Sequence, residues 1–97
     1  MIIRFRPESA EEFNLAVLYY NNERPGLGFE LAAEVRNTLN RIIKFPDSWP
    51  FISPNIRKSI VNRFPFAVLY HRGDNQILII AIMHMRRKPG YWKQRVD

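Results

Sequence analysis

A segment near the C-terminus, positions 84–92, combines the side-chain types that bind anions and transfer protons. It reads His-Met-Arg-Arg-Lys-Pro-Gly-Tyr-Trp. The groups in it that could take part in chemistry are His84, Arg86, Arg87, Lys88, Tyr91 and Trp92. Arginine makes bidentate contacts with phosphate and an aromatic ring can stack on a base, so the segment suits an anionic partner. A metal-independent ribonuclease needs a proton acceptor, a cation and a proton donor, which a histidine, an arginine and a tyrosine could supply.

Several of these side chains also have a plainer structural explanation. His84 could simply end a strand with a hydrogen bond, and Tyr91 and Trp92 could pack to hold a C-terminal tail. The other histidine, His71, adjoins a predicted turn and is expected to be exposed. The pattern therefore indicates anion binding more strongly than catalysis.

The apolar run at residues 77–83 directly precedes this segment and predicts a buried central strand. Because side chains alternate along a strand, His84 and Arg86 are expected to project from the same face. Two arginines of the neighbouring predicted strand, 56–63, share a face as well. We expect the sheet surface that the helices leave open to be lined by Arg57, Arg63, His84, Arg86 and Tyr91.

The first half of the chain predicts a strand followed by two helices. Apolar residues alternate over 2–5, and Ser9 followed by Glu12 has the spacing of a capping box, which predicts a helix start at residue 9 or 10. Apolar residues at helical spacing continue this helix to about residue 23 and predict a second helix over 27–44.

The second half predicts three further strands. Residues 46–54 are rich in proline and predict an extended connector whose Trp49 and Phe51 pack on the core. The strands are predicted at 56–63, 66–71 and 76–85, the last two joined by a tight turn. The order β-α-α-β-β-β predicts one α+β domain, residues 1–97, in which a two-helix hairpin covers one face of a small, twisted, mostly antiparallel sheet.

The charge of the chain is concentrated in its C-terminal part. Residues 1–56 hold six Lys/Arg and seven Asp/Glu, a net charge of −1, whereas residues 57–97 hold nine Lys/Arg and two Asp/Glu, a net charge of +7. This asymmetry predicts one basic face, which would bind nucleic acid or an acidic protein segment if it is more than a solvated surface.

Composition excludes several kinds of site. The chain has no cysteine, and therefore no disulfide, thiolate metal site or cysteine nucleophile. The acidic residues of the first half are expected on solvated helix faces, because no pair of them has the spacing of a metal site. We expect the protein to use no metal and no cofactor. The N-terminus lacks a signal-peptide layout and no apolar run reaches the roughly 18 residues of a membrane span, so we expect a cytoplasmic protein without membrane contact.

The motifs and their order resemble the RelE/ParE superfamily of toxins from type II toxin–antitoxin modules. The matching features are Leu18-Tyr-Tyr20, Gly26-Leu-Gly-Phe-Glu-Leu-Ala-Ala-Glu34, Leu39 to Ile43, Pro46, Trp49-Pro50, Arg57, Arg63-Phe-Pro-Phe-Ala-Val-Leu-Tyr70, the segment 84–92 and Arg95. The resemblance spans nearly the whole chain and implies two helices packed on a small twisted sheet. It also implies a cognate antitoxin whose acidic, amphipathic segment wraps the toxin in a hetero-oligomer.

Two activities occur in this superfamily. RelE-like members cleave mRNA in the ribosomal A site, whereas ParE-like members inhibit DNA gyrase and show no nuclease activity. RelE-like nucleases carry an arginine where this chain has Ala67, and only Lys58 could stand for their catalytic lysines. Arg87 and Tyr91 do match a basic and a tyrosine position of the family. The missing arginine favours a ParE-like toxin.

Site residues follow from these alternatives. In the nuclease alternative, the catalytic residues would be His84, Arg87 and Tyr91. The residues expected to bind the target, either DNA gyrase or the ribosome with its mRNA, are Arg57, Arg63, Arg86, Arg87, Lys88 and Trp92. A small basic nucleic-acid-binding module is a more distant alternative, because its recognition helix should be basic and both predicted helices are neutral to acidic.

Overall fold

The structure, a computed structural model, describes residues 1–96, which form two α-helices and five strands. In chain order the elements are β1 (Ile2–Phe5), α1 (Pro7–Glu23), α2 (Leu27–Lys44), β2 (Phe51–Ser53), β3 (Ile56–Ile60), β4 (Phe66–Arg72), β5 (Gln76–His84) and a short 3₁₀ helix, Lys93–Arg95. The predicted order is confirmed with one addition, because the connector after α2 contains the short strand β2.

All five strands belong to one sheet with the order β1-β5-β4-β3-β2. β1 runs parallel to β5, and the other neighbouring pairs are antiparallel, so the sheet is mixed but mostly antiparallel, as predicted. β4 and β5 lie in its interior and are buried along most of their length. Burial from both faces explains why their sequences are nearly continuous apolar runs.

The two helices approach each other closely at Gly28. A Cβ atom at this position would collide with the carbonyl oxygen of Val17 and the side chain of Asn21. The Gly28 N–H donates to Oδ1 of Asn21 at 2.7 Å, which satisfies one of the free N-terminal donors of α2. Gly26 precedes α2 with a φ of 90°, a backbone conformation that glycine adopts without a steric penalty.

The predicted capping box at Ser9 and Glu12 is wrong. α1 already starts at Pro7, whose restricted φ suits the first position of a helix. The Ser9 hydroxyl therefore lies inside the first turn, 2.7 Å from the carbonyl oxygen of Arg6 and 3.0 Å from that of Ile79. Ser9 thus connects the start of α1 to β5, and Glu12 is free to reach another part of the molecule.

Apolar side chains pack against both faces of the sheet. On the helix face, residues of β4 and β5 surround Leu31, Val35 and Ile42 of α2. On the opposite face, the buried cluster consists of Ile56, Leu69, Ile80, Ala81 and Trp92. Trp92 belongs to residues 91–96, here termed the C-terminal tail, and the face it covers is termed the tail face. The tail therefore covers the sheet face that the sequence predicted to be open.

The connector after α2 meets the prediction only in part. Trp49 packs against the helix-face core, as predicted. Phe51 is 56% exposed, so the prediction that it packs on the core is wrong. Its ring instead lies under the guanidinium group of Arg57, whose central carbon is 3.8 Å from the ring centroid.

Tyr70 is expected to make the stability of the protein fall at alkaline pH. Its hydroxyl donates to the carbonyl oxygen of Pro46 at 2.7 Å, and burial raises the pKa of Tyr70 to about 12. The folded state thus holds this proton more tightly than the unfolded state. Its contribution is complete below the unfolded pKa of about 10 and is lost as the pH rises from there through the folded pKa.

Urea unfolding at a series of alkaline pH values measures this effect. Tyr70→Phe should lose less stability above about pH 10 than the wild-type protein does. An alkaline loss of the same size in both proteins would contradict the assignment to Tyr70.

Candidate functional site

A β-bulge in β5 decides which residues face which side near the end of that strand. The register between β4 and β5 shifts once and leaves Ile80 without a partner. An inserted residue reverses the alternation of side chains beyond it. Leu78, before the bulge, packs on the tail face, whereas His84, after it, pairs with Phe66 of the helix-face core. The predicted regular alternation up to position 86 is therefore wrong.

His84 shapes the turn that follows β5. Its Nδ1 accepts the N–H of Arg86 at 3.0 Å. Its half-buried ring stands edge to face against the ring of Phe66, with centroids 5.1 Å apart. These contacts match the structural alternative for His84, a residue that ends a strand with a hydrogen bond.

Arg57 lies on the helix face and holds the connector after α2. It pairs with Tyr70 across the ladder, and directly opposed residues of antiparallel strands share a face. Its Nη1 donates to the carbonyl oxygens of Asp47 (3.0 Å) and Trp49 (2.8 Å). With 16% of its side chain exposed, Arg57 is engaged by the fold and is not presented to a target.

Arg63 follows the end of β3 and turns toward α2. Its φ of 70° lies in the left-handed region, which is uncommon for a residue other than glycine. Its Nη2 donates to Oε1 of Glu30 at 2.7 Å, and this hydrogen bond lowers the pKa of Glu30. Its Nη1 lies 3.8 Å from Oε2 of Glu34. Arg57 and Arg63 therefore do not join His84, and the predicted shared concave surface does not form.

Three consecutive cations stay exposed in the turn after β5. This basic turn is defined by Arg86, Arg87 and Lys88. No carboxylate of residues 1–96 lies within ion-pairing distance of them. The Arg87 N–H donates to the carbonyl oxygen of His84 at 3.0 Å, and its guanidinium carbon lies 3.9 Å from the centroid of the Tyr91 ring. Within residues 1–96, the basic turn is thus a cluster of positive charge without an ion-pair partner.

Tyr91 and Trp92 attach the tail to the rest of the protein. Trp92 is 4% exposed and packs on Leu69 and Ile80, so its ring is not available to stack on a partner in this structure. The Tyr91 hydroxyl donates to Oε2 of Glu12 at 2.7 Å. Burial, and then this hydrogen bond, raise the pKa of Tyr91. Both side chains therefore fit the structural alternative, in which they hold the tail.

Glu12 is a residue of this region that the sequence pattern did not indicate. It was expected on a solvated helix face, yet its side chain is only 15% exposed. Its carboxylate accepts from the Ile82 N–H (3.1 Å), the Tyr91 hydroxyl (2.7 Å) and both Nη groups of Arg95 (2.8 and 3.0 Å). The one signal in the sequence is its place beside the apolar stripe of α1, next to Phe13.

Ala67 and Lys58, the two positions that bear on nuclease activity, both lie on the tail face. Ala67 is fully buried and pairs with Met83, so an arginine there would have to displace its neighbours. Lys58 pairs with Leu69 and is partly exposed. Neither position contributes to the basic turn.

Within residues 1–96, no group of three or more His, Asp or Glu side chains is arranged to hold a metal ion. Neither helix in that part of the chain is both long and apolar enough to cross a membrane.

Neither a protein-family model nor a curated protein matches the sequence. Solved structures do match. One is a chain described as the chromosomal ParDE TA system from P. aeruginosa; its TM-score is 0.77 at 14% sequence identity, over 89% of this chain and 97% of the other. The chain has the fold of that ParDE-system protein. The fold implied by the RelE/ParE resemblance is thereby confirmed.

Proposed function

We propose that this protein is the growth-arresting toxin of a toxin–antitoxin pair and acts through its basic turn. The observation that carries the proposal is the fold shared with a ParDE TA system chain over nearly the full length of both chains. Arg86, Arg87 and Lys88 are exposed and have no ion-pair partner among residues 1–96, which supports the choice of surface. Uncompensated cations on an ordered turn speed the approach of an anionic partner and fix its orientation.

Within this proposal, ParE-like inhibition of DNA gyrase is favoured over RNA cleavage. A nuclease needs groups that can exchange protons with the RNA, and they must be free to do so. The Nδ1 of His84 already accepts a backbone N–H, and the Tyr91 hydroxyl is committed to Glu12. The raised pKa of Tyr91 also disfavours its use as a base at neutral pH. Binding through the basic turn requires none of these protons to move.

The same charge distribution supports an acidic antitoxin. The net charge of +7 over residues 57–97 would attract a segment rich in Asp and Glu. Such a segment could order on binding and cover the basic turn, which would neutralise the toxin without any chemical change.

Expression of the chain alone, followed by two parallel assays, tests the proposal. Expression should arrest growth, and co-expression of a short neighbouring protein with an acidic tail should restore it. The purified protein should inhibit supercoiling by gyrase and should not cleave mRNA on ribosomes. Harmless expression in the absence of any antitoxin would exclude a toxin.

Two variants distinguish the mechanisms further. Tyr91→Phe removes one hydrogen bond but keeps the ring beneath Arg87, so gyrase inhibition should fall by about fivefold at most. Arg87→Ala removes a cation of the binding surface and should weaken inhibition more. If ribosome-dependent cleavage is present and is lost in either variant while supercoiling is unaffected, the RelE-like alternative is correct.

A further inference from the structure

Glu12 connects the two ends of the segment that contains the basic turn. The Ile82 N–H, which donates to Oε1, precedes the turn in the chain. Tyr91 and Arg95, which donate to both carboxylate oxygens, follow it. One carboxylate therefore joins the strand that enters the turn to the tail that leaves it. This group of four residues is termed the Glu12 cluster.

The hydrogen bonds of the Glu12 cluster involve charged groups and are therefore stronger than hydrogen bonds between neutral groups. Arg95 makes two parallel N–H···O contacts with the carboxylate, a bidentate geometry that fixes both distance and orientation. Its Nη1 also donates to the carbonyl oxygen of Ile80, the unpaired residue of the bulge, at 3.1 Å. The side chains of Glu12 and Arg95 are 15% and 13% exposed, so solvent screens the pair only weakly.

The cluster reaches the basic turn through the ring of Tyr91. Glu12 sets the position of the phenol by its 2.7 Å hydrogen bond, and Arg87 stacks over the same ring at 3.9 Å. Gly90, with a φ of 77°, lets the chain reverse between the turn and the tail. A chain of direct contacts therefore runs from Glu12 through Tyr91 to the central cation of the turn.

We propose that Glu12 is the positioning residue of the basic turn. Its carboxylate closes the loop from β5 to the tail and thereby sets the direction in which Arg86, Arg87 and Lys88 present their charges. The role of the turn rests on the proposed function, whereas the closing of the loop by Glu12 does not. Glu12 touches no target in this proposal and acts only through Tyr91 and Arg95.

The test compares Glu12→Gln and Glu12→Ala with two controls. Glu11→Gln changes an exposed carboxylate one position earlier on α1 and makes the same change of charge. Tyr70→Phe removes a buried hydrogen bond elsewhere in the fold and reports on a general loss of stability. Glu12→Gln keeps an acceptor oxygen and nearly the same shape, so this variant should fold.

The first measurement has two parts. Amide hydrogen exchange reports on the tail and the basic turn, and NMR signals of the Tyr91 ring report the pH at which its hydroxyl ionises. In Glu12→Gln, amides of residues 86–96 should exchange about tenfold faster or more, and Tyr91 should ionise at a lower pH than in the wild type. Both controls should resemble the wild type in these residues. Unchanged exchange and ionisation would overturn the proposal, and so would global unfolding of Glu12→Gln, because Glu12 would then support the whole fold.

The second measurement is inhibition of gyrase supercoiling by the same variants. Glu12→Gln should inhibit about tenfold less than the wild type, while Glu11→Gln and Tyr70→Phe keep their potency. A loosened turn with unchanged inhibition would show that Glu12 does not position the functional surface. If the wild-type protein has no effect on gyrase or growth, the proposed function fails, and the exchange data still decide whether Glu12 closes the loop.

Discussion

Replacing Arg86, Arg87 and Lys88 together by alanine is expected to lower inhibition of the target by about 100-fold or more. Contacts to charged groups contribute about 1.5–3 kcal/mol each, and a combined loss near 3 kcal/mol corresponds to about two powers of ten. The three side chains are exposed and have no ion-pair partner in residues 1–96. The fold should therefore lose about 1 kcal/mol or less, from the stacking of Arg87 on Tyr91.

A second triple variant serves as the matched control for total charge. Arg4, Arg36 and Lys44 are exposed cations on β1 and α2, outside the basic turn. Changing all three to alanine lowers the net charge by the same amount. Dose–response curves for supercoiling inhibition and growth arrest compare the two variants. An equal loss in both would mean that overall charge, and not this turn, is responsible.

Trp92→Ala is expected to be the most destabilising single change in the tail, by about 3–5 kcal/mol. The Trp92 side chain is 4% exposed and belongs to the buried cluster of the tail face. Its removal leaves a cavity above Leu69 and Ile80 and detaches the tail from the sheet. Because domains of this size are stable by only about 5–15 kcal/mol, the loss is a large share of the total.

Urea unfolding followed by circular dichroism measures this effect without depending on tryptophan fluorescence. Trp92→Phe, which keeps an aromatic ring in the same cluster, should lose considerably less stability. Comparison with inhibition separates the two roles considered for Trp92. If Trp92→Ala is as stable as the wild type but no longer inhibits, Trp92 contacts the target and the packing role described above is wrong.

The elements of this fold could be predicted from local patterns in the sequence. Alternation and helical spacing placed both helices and four of the five strands, because each pattern depends only on residues close together in the chain. The missed strand, β2, is three residues long and carries exposed apolar side chains, so it leaves almost no pattern. Ser9 and Glu12 have the spacing of a capping box by coincidence, since Ser9 binds the carbonyl oxygen of Ile79 and Glu12 binds the Ile82 N–H and the Tyr91 hydroxyl, all distant in the chain.

The site could be predicted only in part. The grouping of Arg86, Arg87 and Lys88 could be predicted because their charges are consecutive, a property that any fold would preserve. The surface expected from Arg57, Arg63 and His84 does not form because Arg57 binds carbonyl oxygens of the connector after α2 and Arg63 pairs with Glu30, and no residue type in the sequence indicates either contact. Arginines are also ambiguous in a sequence, because the same side chain can bind a target or, as Arg57 does here, backbone carbonyls of its own chain.

The long sequence separation between Glu12 and its partners has a consequence for how the protein is made. Seventy residues separate Glu12 from the Ile82 N–H, and eighty-three separate it from Arg95. Chains are synthesised from the N-terminus, and the helix hairpin, being local, can form early. If Glu12 positions the basic turn as proposed, the turn reaches its final shape only after Arg95 has been added. If the protein is the toxin proposed above, the nascent chain is therefore expected to remain inactive until Arg95 has left the ribosome, so that an antitoxin can be present when the surface first forms.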